Sequence, residues 1–393
     1  MKVKPASRTE AVQEYYFSRK LRQIDEMRKA GVDIINLGIG SPDQPPSENT
    51  ISRLKEVAEK PTSHGYQSYS GIPALRKAFA GWYRTYFNVV LNPESEILPL
   101  IGSKEGIMHI TMAFVNQGDE VLIPDPGYPT YSSVTSLIGG KVRYYNLKET
   151  SGWQPDLQEL EQSDLTRVKL MWINYPHMPT GTRASQGLFN KLAGFALRHN
   201  ILLCNDNPYS FILNKDHLSL LSVRGAMDIA LELNSLSKSH NMAGWRIGMV
   251  GGHSEYIKNI LKVKSNMDSG MFLALQSAAA EALNNPPSWY DSINAVYARR
   301  RKIAEEILSL MKCRFDKDQV GLFVWGRIPE EIINPELYIE ELLIKAHVFI
   351  TPGFIFGSNG MRYIRISLCA DESVLMEARK RIISYLRNIP IVR

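Results

Sequence analysis

The segment Asn234-Ser-Leu-Ser-Lys-Ser-His-Asn-Met-Ala-Gly-Trp-Arg-Ile-Gly248 places a lysine between serines, with an arginine eight residues after it. A neutral lysine amine is a nucleophile toward a carbonyl carbon. Ser235, Ser237 and Arg246 are residue types that bind phosphate. The segment therefore predicts that Lys238 bonds covalently to a phosphorylated ligand that carries an aldehyde. A solvated lysine in a polar loop gives the same local pattern, so the prediction depends on the rest of the chain.

Short apolar runs alternate with helical patterns on both sides of this segment. The runs typical of strands are 120–124, 168–173, 201–204, 229–233 and 247–250, and helical patterns cover 104–115 and 187–198. Such alternation indicates an α/β fold with a mostly parallel sheet, in which ligands bind beyond the carboxyl ends of the strands. Asp206 and Tyr209 directly follow one run and Lys238 follows another, so all three are predicted at that edge.

The pattern changes near residue 290. A long charged helix is predicted at 291–311, followed by strands at 321–325, 347–350 and 363–367 and a helix at 373–386. A chain of 393 residues also exceeds one ordinary core. We therefore predict a large α/β domain at 46–289 and a smaller α+β domain formed by 1–45 and 290–393.

Composition argues against several classes of protein. The 46 basic and 40 acidic residues are spread along the chain, and the basic clusters at 299–302 and 379–381 fall on helical patterns, so nucleic acid is not an expected partner. Three distant cysteines without a CxxC pair predict neither a disulfide framework nor a zinc site. No signal peptide or apolar run of about 18 residues is found. We expect a cytoplasmic protein without metal or membrane partner.

Two further segments supply candidates for binding a phosphorylated ring. The turn Gly102-Ser-Lys-Glu-Gly106 opens a helical run, so the backbone N–H groups of Ser103 and Lys104 are predicted to hold a phosphate, although an ordinary helix cap has the same sequence. Asp206, directly after a strand, is placed to pair with a cationic group of a ligand, or it is a turn aspartate before proline. Tyr209 is a candidate hydrogen-bond donor at the same edge.

Other candidates come from the middle and the end of the chain. Tyr128, in a Pro/Gly turn, either stacks on the ring or packs in the core. Arg365 carries a planar fork suited to an α-carboxylate, or it is a solvent-facing arginine on an edge strand. Gly38-Ile-Gly40 is not a dinucleotide fingerprint, because Asp43 stands where the third glycine belongs.

The order of these motifs resembles the class I/II aminotransferases of fold type I, which use pyridoxal phosphate (PLP), over nearly the whole chain. The matching motifs are Leu37-Gly-Ile-Gly-Ser-Pro-Asp43, Tyr66-x4-Gly71-x3-Leu75-Arg76, Gly102-Ser-Lys104, Pro126-Gly-Tyr128, Pro179-Thr-Gly181, Asp206-x2-Tyr209, Ser235-Leu-Ser-Lys238, Arg246 and Arg365.

The resemblance implies a role for each candidate. Lys238 forms the internal aldimine, Asp206 pairs with the pyridine nitrogen, and Tyr128 stacks on the ring. Tyr209 and Asn174 are the polar candidates near the ring hydroxyl. The phosphate is surrounded by Ser103, Lys104, Ser235, Ser237 and Arg246. Catalytic roles are expected for Lys238, Asp206 and Tyr209.

The resemblance also implies how substrate and partner subunit are bound. Gly40 and Arg365 receive the substrate carboxylate, and Tyr66 reaches the phosphate of the partner in a homodimer with shared active sites. Tyr15-Tyr-Phe17, Leu37–Gly40 and Asn266-Met-Asp-Ser-Gly-Met-Phe272 are similar to the branch that contains LL-diaminopimelate aminotransferase, and Tyr15 is a predicted substrate contact. The last of these motifs has no arginine, so the sequence offers no partner for a distal substrate carboxylate.

One position departs from the family pattern. The family usually has asparagine immediately before Pro-Thr-Gly, where its amide hydrogen-bonds the ring hydroxyl, whereas this chain has Met178 in Asn174-Tyr-Pro-His-Met-Pro-Thr-Gly181. A thioether donates no hydrogen bond.

The function implied is transfer of an amino group between an L-amino acid and a 2-oxo acid by a ping-pong mechanism. A PLP-dependent β-lyase of the cystathionine type uses the same fold and lysine. A non-catalytic, aminotransferase-like sensor is disfavoured, because such regulators carry a DNA-binding domain and only about 35 residues precede Leu37.

Overall fold

The computed structural model describes residues 3–10, 12 and 16–388, with the backbone alone for Asn388. Within these residues there are thirteen α-helices and thirteen β-strands. The helices are α1 Tyr16–Lys29, α2 Glu48–Ala58, α3 Pro73–Phe87, α4 Ser103–Phe114, α5 Thr130–Leu137, α6 Leu157–Glu161, α7 Gln186–His199, α8 Leu236–Ser239, α9 Ser254–Lys264, α10 Leu273–Ala282, α11 Pro287–Leu310, α12 Pro335–Lys345 and α13 Glu372–Asn388. The strands are β1 Ile35–Asn36, β2 Ile97–Leu100, β3 Glu120–Asp125, β4 Lys141–Asn146, β5 Val168–Ile173, β6 Leu202–Asp206, β7 Ala230–Ser235, β8 Gly248–Gly252, β9 Arg314–Phe315, β10 Phe323–Arg327, β11 Val348–Phe349, β12 Thr351–Pro352 and β13 Tyr363–Ser367.

The largest sheet has seven strands in the order β2-β8-β7-β6-β5-β3-β4. Strands β4, β3, β5, β6 and β7 are parallel, and β8 runs antiparallel to both β7 and β2. The prediction of a mostly parallel α/β sheet is therefore confirmed. The predicted runs correspond to β3, β5, β6, β7 and β8; β5 has its predicted bounds and the ends of the others differ by at most two residues, whereas β2 and β4 were not predicted.

Both faces of this sheet are covered, which explains why its strands are almost continuously apolar. Along β5, Leu170 and Trp172 pack on one side with apolar residues of α4 and α9, whereas Met171 and Ile173 pack on the other with residues of α3 and α7. Successive side chains of a strand point to opposite faces, so one strand contributes to two cores.

A four-stranded antiparallel sheet, β12-β13-β10-β9, forms a second layer against α11 and α13. Strand β1 pairs in parallel with β11, which brings the segment before Leu37 to the C-terminal part of the chain. This arrangement follows the predicted association of 1–45 with 290–393. The domain boundaries at 45/46 and 289/290 stay a prediction.

The structure also bears on the expectations about membrane-spanning helices and cysteines. None of the helices in the described ranges is long and apolar enough to cross a membrane. Cys204, Cys313 and Cys369 are free thiols and all three are buried.

Candidate active site

A cavity of about 440 Å³ opens at the carboxyl ends of the parallel strands. Asp125 ends β3, Asn174 follows β5, Asp206 ends β6 and Ser235 ends β7, so neighbouring strands deliver polar side chains to one edge. The cavity is lined by Phe17, Leu21, Gly38, Ile39, Gly40, Ser103, Lys104, Tyr128, Tyr131, Asn174, Met178, Asp206, Pro208, Tyr209, Ser235, Ser237, Lys238, Ala243, Arg246, Phe323, Phe356 and Arg365. Of the described residues predicted for the site, all but Tyr66 line this cavity.

Lys238 enters the cavity from the short helix α8, which follows β7 directly. Ser235 caps the N-terminus of that helix, and its Oγ accepts a hydrogen bond from the Ser237 backbone N–H at 3.2 Å. The Lys238 Nζ donates to the carbonyl oxygen of Gly40 at 2.5 Å. Burial lowers the pKa of the Lys238 amine, and the guanidinium of Arg365 acts in the same direction. A lowered pKa increases the fraction of neutral, nucleophilic amine.

Asp206 presents one carboxylate oxygen without a partner. The side chain is 5% exposed; Oδ2 accepts from the Tyr131 hydroxyl at 3.0 Å, and Oδ1 has no hydrogen bond from any described residue. Burial raises the pKa of Asp206 to about 7. A buried carboxyl oxygen facing a cavity is complementary to a cationic N–H group, which would satisfy it and favour its charged form. The protonated pyridine nitrogen of PLP is such a group.

Tyr131 is a site residue to which the sequence analysis assigned no role. It follows Tyr128 by three residues, and its ring stacks on Trp172 with centroids 5.0 Å apart, which fixes the hydroxyl that meets Asp206. Tyr128 meets Tyr131 edge to face at 5.6 Å and lines the cavity. The three-residue spacing of the two tyrosines across the start of α5 was the available signal.

Backbone and side chains form a cup for an anion beside Lys238. Helix α4 begins at Ser103, and the preceding Gly102 has φ +79°, a conformation that favours glycine. A side-chain carbon on Gly102 would lie 2.3 Å from Arg246 Nη2, so glycine also admits the guanidinium. The Ser235 and Ser237 hydroxyls are hydrogen-bonded to each other at 2.9 Å on the same cavity wall. A helix N-terminus with an adjacent arginine suits a phosphate.

Arg365 lies at the other end of the cavity. Its strand β13 is flanked by β12 and β10 and the residue is 5% exposed, so the alternative of a solvent-facing arginine on an edge strand is wrong. Nη2 donates to the Gly38 carbonyl oxygen at 3.0 Å, and Nη1 lies 3.1 Å from Met178 Sδ. The guanidinium carbon is 3.7 Å from the ring centre of Phe323 and 4.6 Å from that of Phe356.

The loop after β5 brings Asn174 and Met178 to the cavity in different ways. Asn174 Nδ2 donates to the backbone oxygen of Asp206, and its Oδ1 accepts from the Met178 backbone N–H at 2.8 Å. The amide therefore holds the two loops together, and one Nδ2 hydrogen remains for a ligand. The Met178 side chain is buried against Arg365.

The remaining predicted residues fall into three groups. Tyr209 and Gly40 line the cavity, and a side-chain carbon on Gly40 would lie 2.3 Å from Phe323 Cζ. Tyr66 is 94% exposed and lies outside this cavity. Tyr15 lies outside the described residues. Sequence reasoning missed Phe323 and Phe356, because nothing in their local sequence indicates contact with Arg365.

Comparisons with known proteins agree with this geometry. Residues 32–382 match the model of the family described as aminotransferase class I and II. The chain belongs to this family. An LL-diaminopimelate aminotransferase of Dehalococcoides mccartyi is 38% identical to this chain over 388 residues, which cover 98% of this chain and 100% of the relative. The enzyme of the same name from Aquifex aeolicus is 39% identical over 379 residues, covering 96% and 98% of the two chains.

Solved structures confirm the predicted fold type. BacF from Bacillus subtilis, with substrate bound, superposes with a TM-score of 0.93 at 34% identity over 98% of both chains. A single mutant of Thermus thermophilus aspartate aminotransferase gives a TM-score of 0.90 at 26% identity, covering 97% of this chain and 99% of the other. The protein is a PLP-dependent aminotransferase, and the β-lyase alternative is not favoured because the relatives are aminotransferases.

Proposed function

We propose that the aminotransferase holds PLP in the 440 Å³ cavity, bonded to Lys238. One observation carries the proposal: the Lys238 amine and the unpartnered Oδ1 of Asp206 line the same cavity as the anion cup. These three groups are chemically complementary to three features of the cofactor, which are an aldehyde, a ring nitrogen and a phosphate. The cup would be formed by Ser103, Lys104, Ser235, Ser237 and Arg246.

The bound cofactor supplies a carbonyl that takes up the amino group and a ring that accepts the electrons released at Cα. The residues of this chain do the rest. Asp206 keeps the ring nitrogen protonated, Tyr128 packs on the ring face, and Tyr209 with Asn174 meets the ring hydroxyl. Lys238, once displaced by the substrate, moves the proton from Cα as a general base. Burial lowers the pKa of its amine, which increases the fraction of neutral amine that can accept a proton.

The substrates are an L-amino acid and a 2-oxo acid, which react in turn. Arg365 provides the two parallel N–H donors that a carboxylate accepts, and the Gly38 carbonyl and the rings of Phe323 and Phe356 hold its guanidinium in place. Gly40, where the lack of a side chain admits the Phe323 ring, lies at the same end. We place the reaction in the cytoplasm, which three free, buried cysteines support.

We further propose a homodimer in which Tyr66 completes the partner's phosphate site. Support comes from an exposed apolar face: Tyr66, Tyr69, Met267 and Phe272 are 94%, 46%, 54% and 38% exposed. The two segments are adjacent, since Phe272 stacks on His64 at 5.7 Å. Exposed apolar patches of this kind mark association surfaces.

Mixed dimers test both proposals together. Lys238→Ala removes the covalent anchor and the proton carrier, so its homodimer should lose several orders of magnitude in transamination rate. Tyr66→Ala homodimers should bind PLP weakly. In a hybrid of the two variants, one site carries both lesions and the other carries neither, so about half of the wild-type activity per dimer should return.

The matched control is Tyr144→Ala, which changes an exposed tyrosine on β4 outside the cavity. Its homodimer should bind PLP and react like the wild type. Verified hybrids of Lys238→Ala and Tyr66→Ala that are no more active than their parents would contradict a shared site. A fully active Lys238→Ala homodimer would contradict the role of Lys238.

A further inference from the structure

Asp125 ends β3 at the same sheet edge as Asp206 and Ser235, but it does not line the cavity. Its carboxylate contacts a turn in the C-terminal part of the chain. Oδ2 accepts from the Ser358 backbone N–H at 3.0 Å and from the Ser358 hydroxyl at 2.6 Å, and Oδ1 accepts from the Asn359 backbone N–H at 2.9 Å. Hydrogen bonds to an ionised group are about twice as strong as neutral ones. These three bonds therefore link the two segments strongly.

The backbone joins the same two segments at a second point. The Gly127 N–H donates to the backbone oxygen of Phe356 at 2.8 Å. Between these contacts, a side-chain carbon on Gly357 would lie 2.2 Å from Asp125 Oδ1, and Gly357 has φ +138°, so both space and conformation require glycine. Residues 356–359 are thus clamped against the end of β3.

The clamp fixes a ring that encloses Arg365. Phe356 begins the clamped segment, and its buried ring has its centre 4.6 Å from the guanidinium carbon of Arg365. Trp325 meets the Phe356 ring edge to face at 6.0 Å and supports it from another side. Because the clamp starts three residues before Tyr128, it connects the guanidinium to the loop that carries Tyr128 into the cavity.

We propose that Asp125 is a positioning residue for the α-carboxylate anchor. Through the clamp and Phe356, it fixes the Arg365 guanidinium relative to the cofactor at the strand ends. This role rests on the proposed function, in which Arg365 binds the carboxylate and Lys238 binds the cofactor. A misplacement of about 1 Å costs up to about 10²-fold in rate, so a loosened clamp should slow reactions that use Arg365.

Asp125→Asn loosens the clamp with little change of shape. A carboxylate offers two acceptor oxygens, whereas an amide offers one and directs N–H donors at the other side of the clamp. Asp156→Asn is the matched control, at an exposed position outside the cavity. There a single oxygen, Oδ1, accepts from the backbone N–H groups of Gln158 and Glu159 at 3.0 Å each, so an amide oxygen replaces it.

Two reagents separate the anchor from the cofactor. Methoxyamine and aminooxyacetate attack the cofactor's carbonyl carbon with the same kind of O-alkylated amine, and only aminooxyacetate carries a carboxylate for Arg365. The measured quantity is the ratio of their second-order rate constants, aminooxyacetate over methoxyamine, from the cofactor's absorbance change.

In Asp125→Asn this ratio should fall about tenfold while the methoxyamine rate constant stays unchanged. Asp156→Asn should keep the wild-type ratio. An unchanged ratio in folded, PLP-loaded Asp125→Asn would overturn the proposal. An equal fall with both reagents would also overturn it, because the clamp would then serve the cofactor or the fold rather than the anchor.

Arg365→Lys separates this inference from the proposed function. It should lower the same ratio, and adding Asp125→Asn should lower it little further, because residues that act through one another are not additive. No fall in Arg365→Lys would overturn the anchor and both proposals with it. A fall in Arg365→Lys but none in Asp125→Asn would overturn only the role of Asp125.

Ser358→Ala keeps the proposal testable should Asp125→Asn not fold. It removes only the hydroxyl bond to Oδ2, at an exposed position, and keeps both backbone bonds. The reagent ratio should fall about threefold, the effect of one ordinary hydrogen bond. A wild-type ratio in Ser358→Ala would then overturn the clamp.

Binding of an unreactive carboxylate gives a readout independent of turnover. 3-Phenylpropionate has a carboxylate for Arg365 and no amino group. By calorimetry with the PLP-loaded enzyme, its Kd should rise about tenfold in Asp125→Asn and about threefold in Ser358→Ala, and should stay unchanged in Asp156→Asn. Wild-type Kd values in both clamp variants would overturn the proposal.

Discussion

Lys238, Asp206 and Ser235 stand at the ends of neighbouring strands of the seven-stranded sheet, whereas Arg365 and Phe323 come from the four-stranded sheet. The first end of the cavity is polar and contains the buried Oδ1 of Asp206, which no described residue hydrogen-bonds. The second end is a cation enclosed by aromatic rings. In the proposed function, residues at the strand ends hold the cofactor, while the four-stranded sheet supplies the carboxylate anchor Arg365.

The polar end is expected to show the largest effect on chemistry. Asp206→Asn keeps the size of the side chain and a partner for Tyr131 but removes the negative charge. Loss of one preorganised electrostatic stabiliser costs about 10²–10³-fold in rate, whereas PLP should stay bound through the anion cup. Single-turnover absorbance kinetics measure the rate, and a near wild-type value would remove Asp206 from the mechanism.

The same variant has a pH signature in the cofactor-free protein. Because burial raises the pKa of Asp206 from 3.8 to about 7, the folded chain keeps a proton that the unfolded chain releases above about pH 4. The free energy of unfolding of the wild type therefore falls as the pH rises from about 4 toward 7. The Tm of Asp206→Asn minus that of the wild type should therefore increase between pH 5 and pH 8. A constant difference would contradict a protonated Asp206.

At the aromatic end, Arg365→Lys should affect substrate binding more than chemistry. A lysine cannot reproduce two parallel N–H donors, and the ring contacts with Phe323 and Phe356 are also lost. Charge-assisted bonds are worth about 1.5–3 kcal/mol, so KM for amino donors should rise about ten- to hundredfold. Steady-state kinetics with several donors provide the check. An unchanged KM for every donor would place the anchor elsewhere.

The two ends also differ in how far the sequence predicts them. Lys238, Asp206 and Ser103 were predictable because each directly follows an apolar strand or opens a helix, and parallel strands bring such positions together. Apolar runs predicted five of the seven strands of the large sheet, but not its edge strands β2 and β4. The pairing of Tyr131 with Asp206, and the enclosure of Arg365 by Phe323 and Phe356, depend on contacts between distant segments. No local sequence pattern encodes those contacts, so they could be identified only in the folded structure.

The smallest expected effect lies where the two ends meet, at Met178. Its sulfur is 3.1 Å from Arg365 Nη1 and donates no hydrogen bond. In Met178→Asn, an amide donor that reached the ring hydroxyl would stabilise its ionised form. The pKa of the linkage between Lys238 and the cofactor should then fall by about one unit, equivalent to roughly 1.4 kcal/mol. Spectrophotometric pH titration of both proteins measures the shift, and coincident curves would mean that Met178 only fills space.

The identity of the lysine bonded to PLP tests the central claim most directly. Reduction of the PLP-loaded wild type with borohydride, followed by digestion and peptide mapping, fixes the cofactor to the amine that carried it. We expect the label on Lys238, which faces the cavity beside Asp206 and the anion cup. A label on Lys104, the other lysine lining the cavity, or on any lysine outside it would contradict the account.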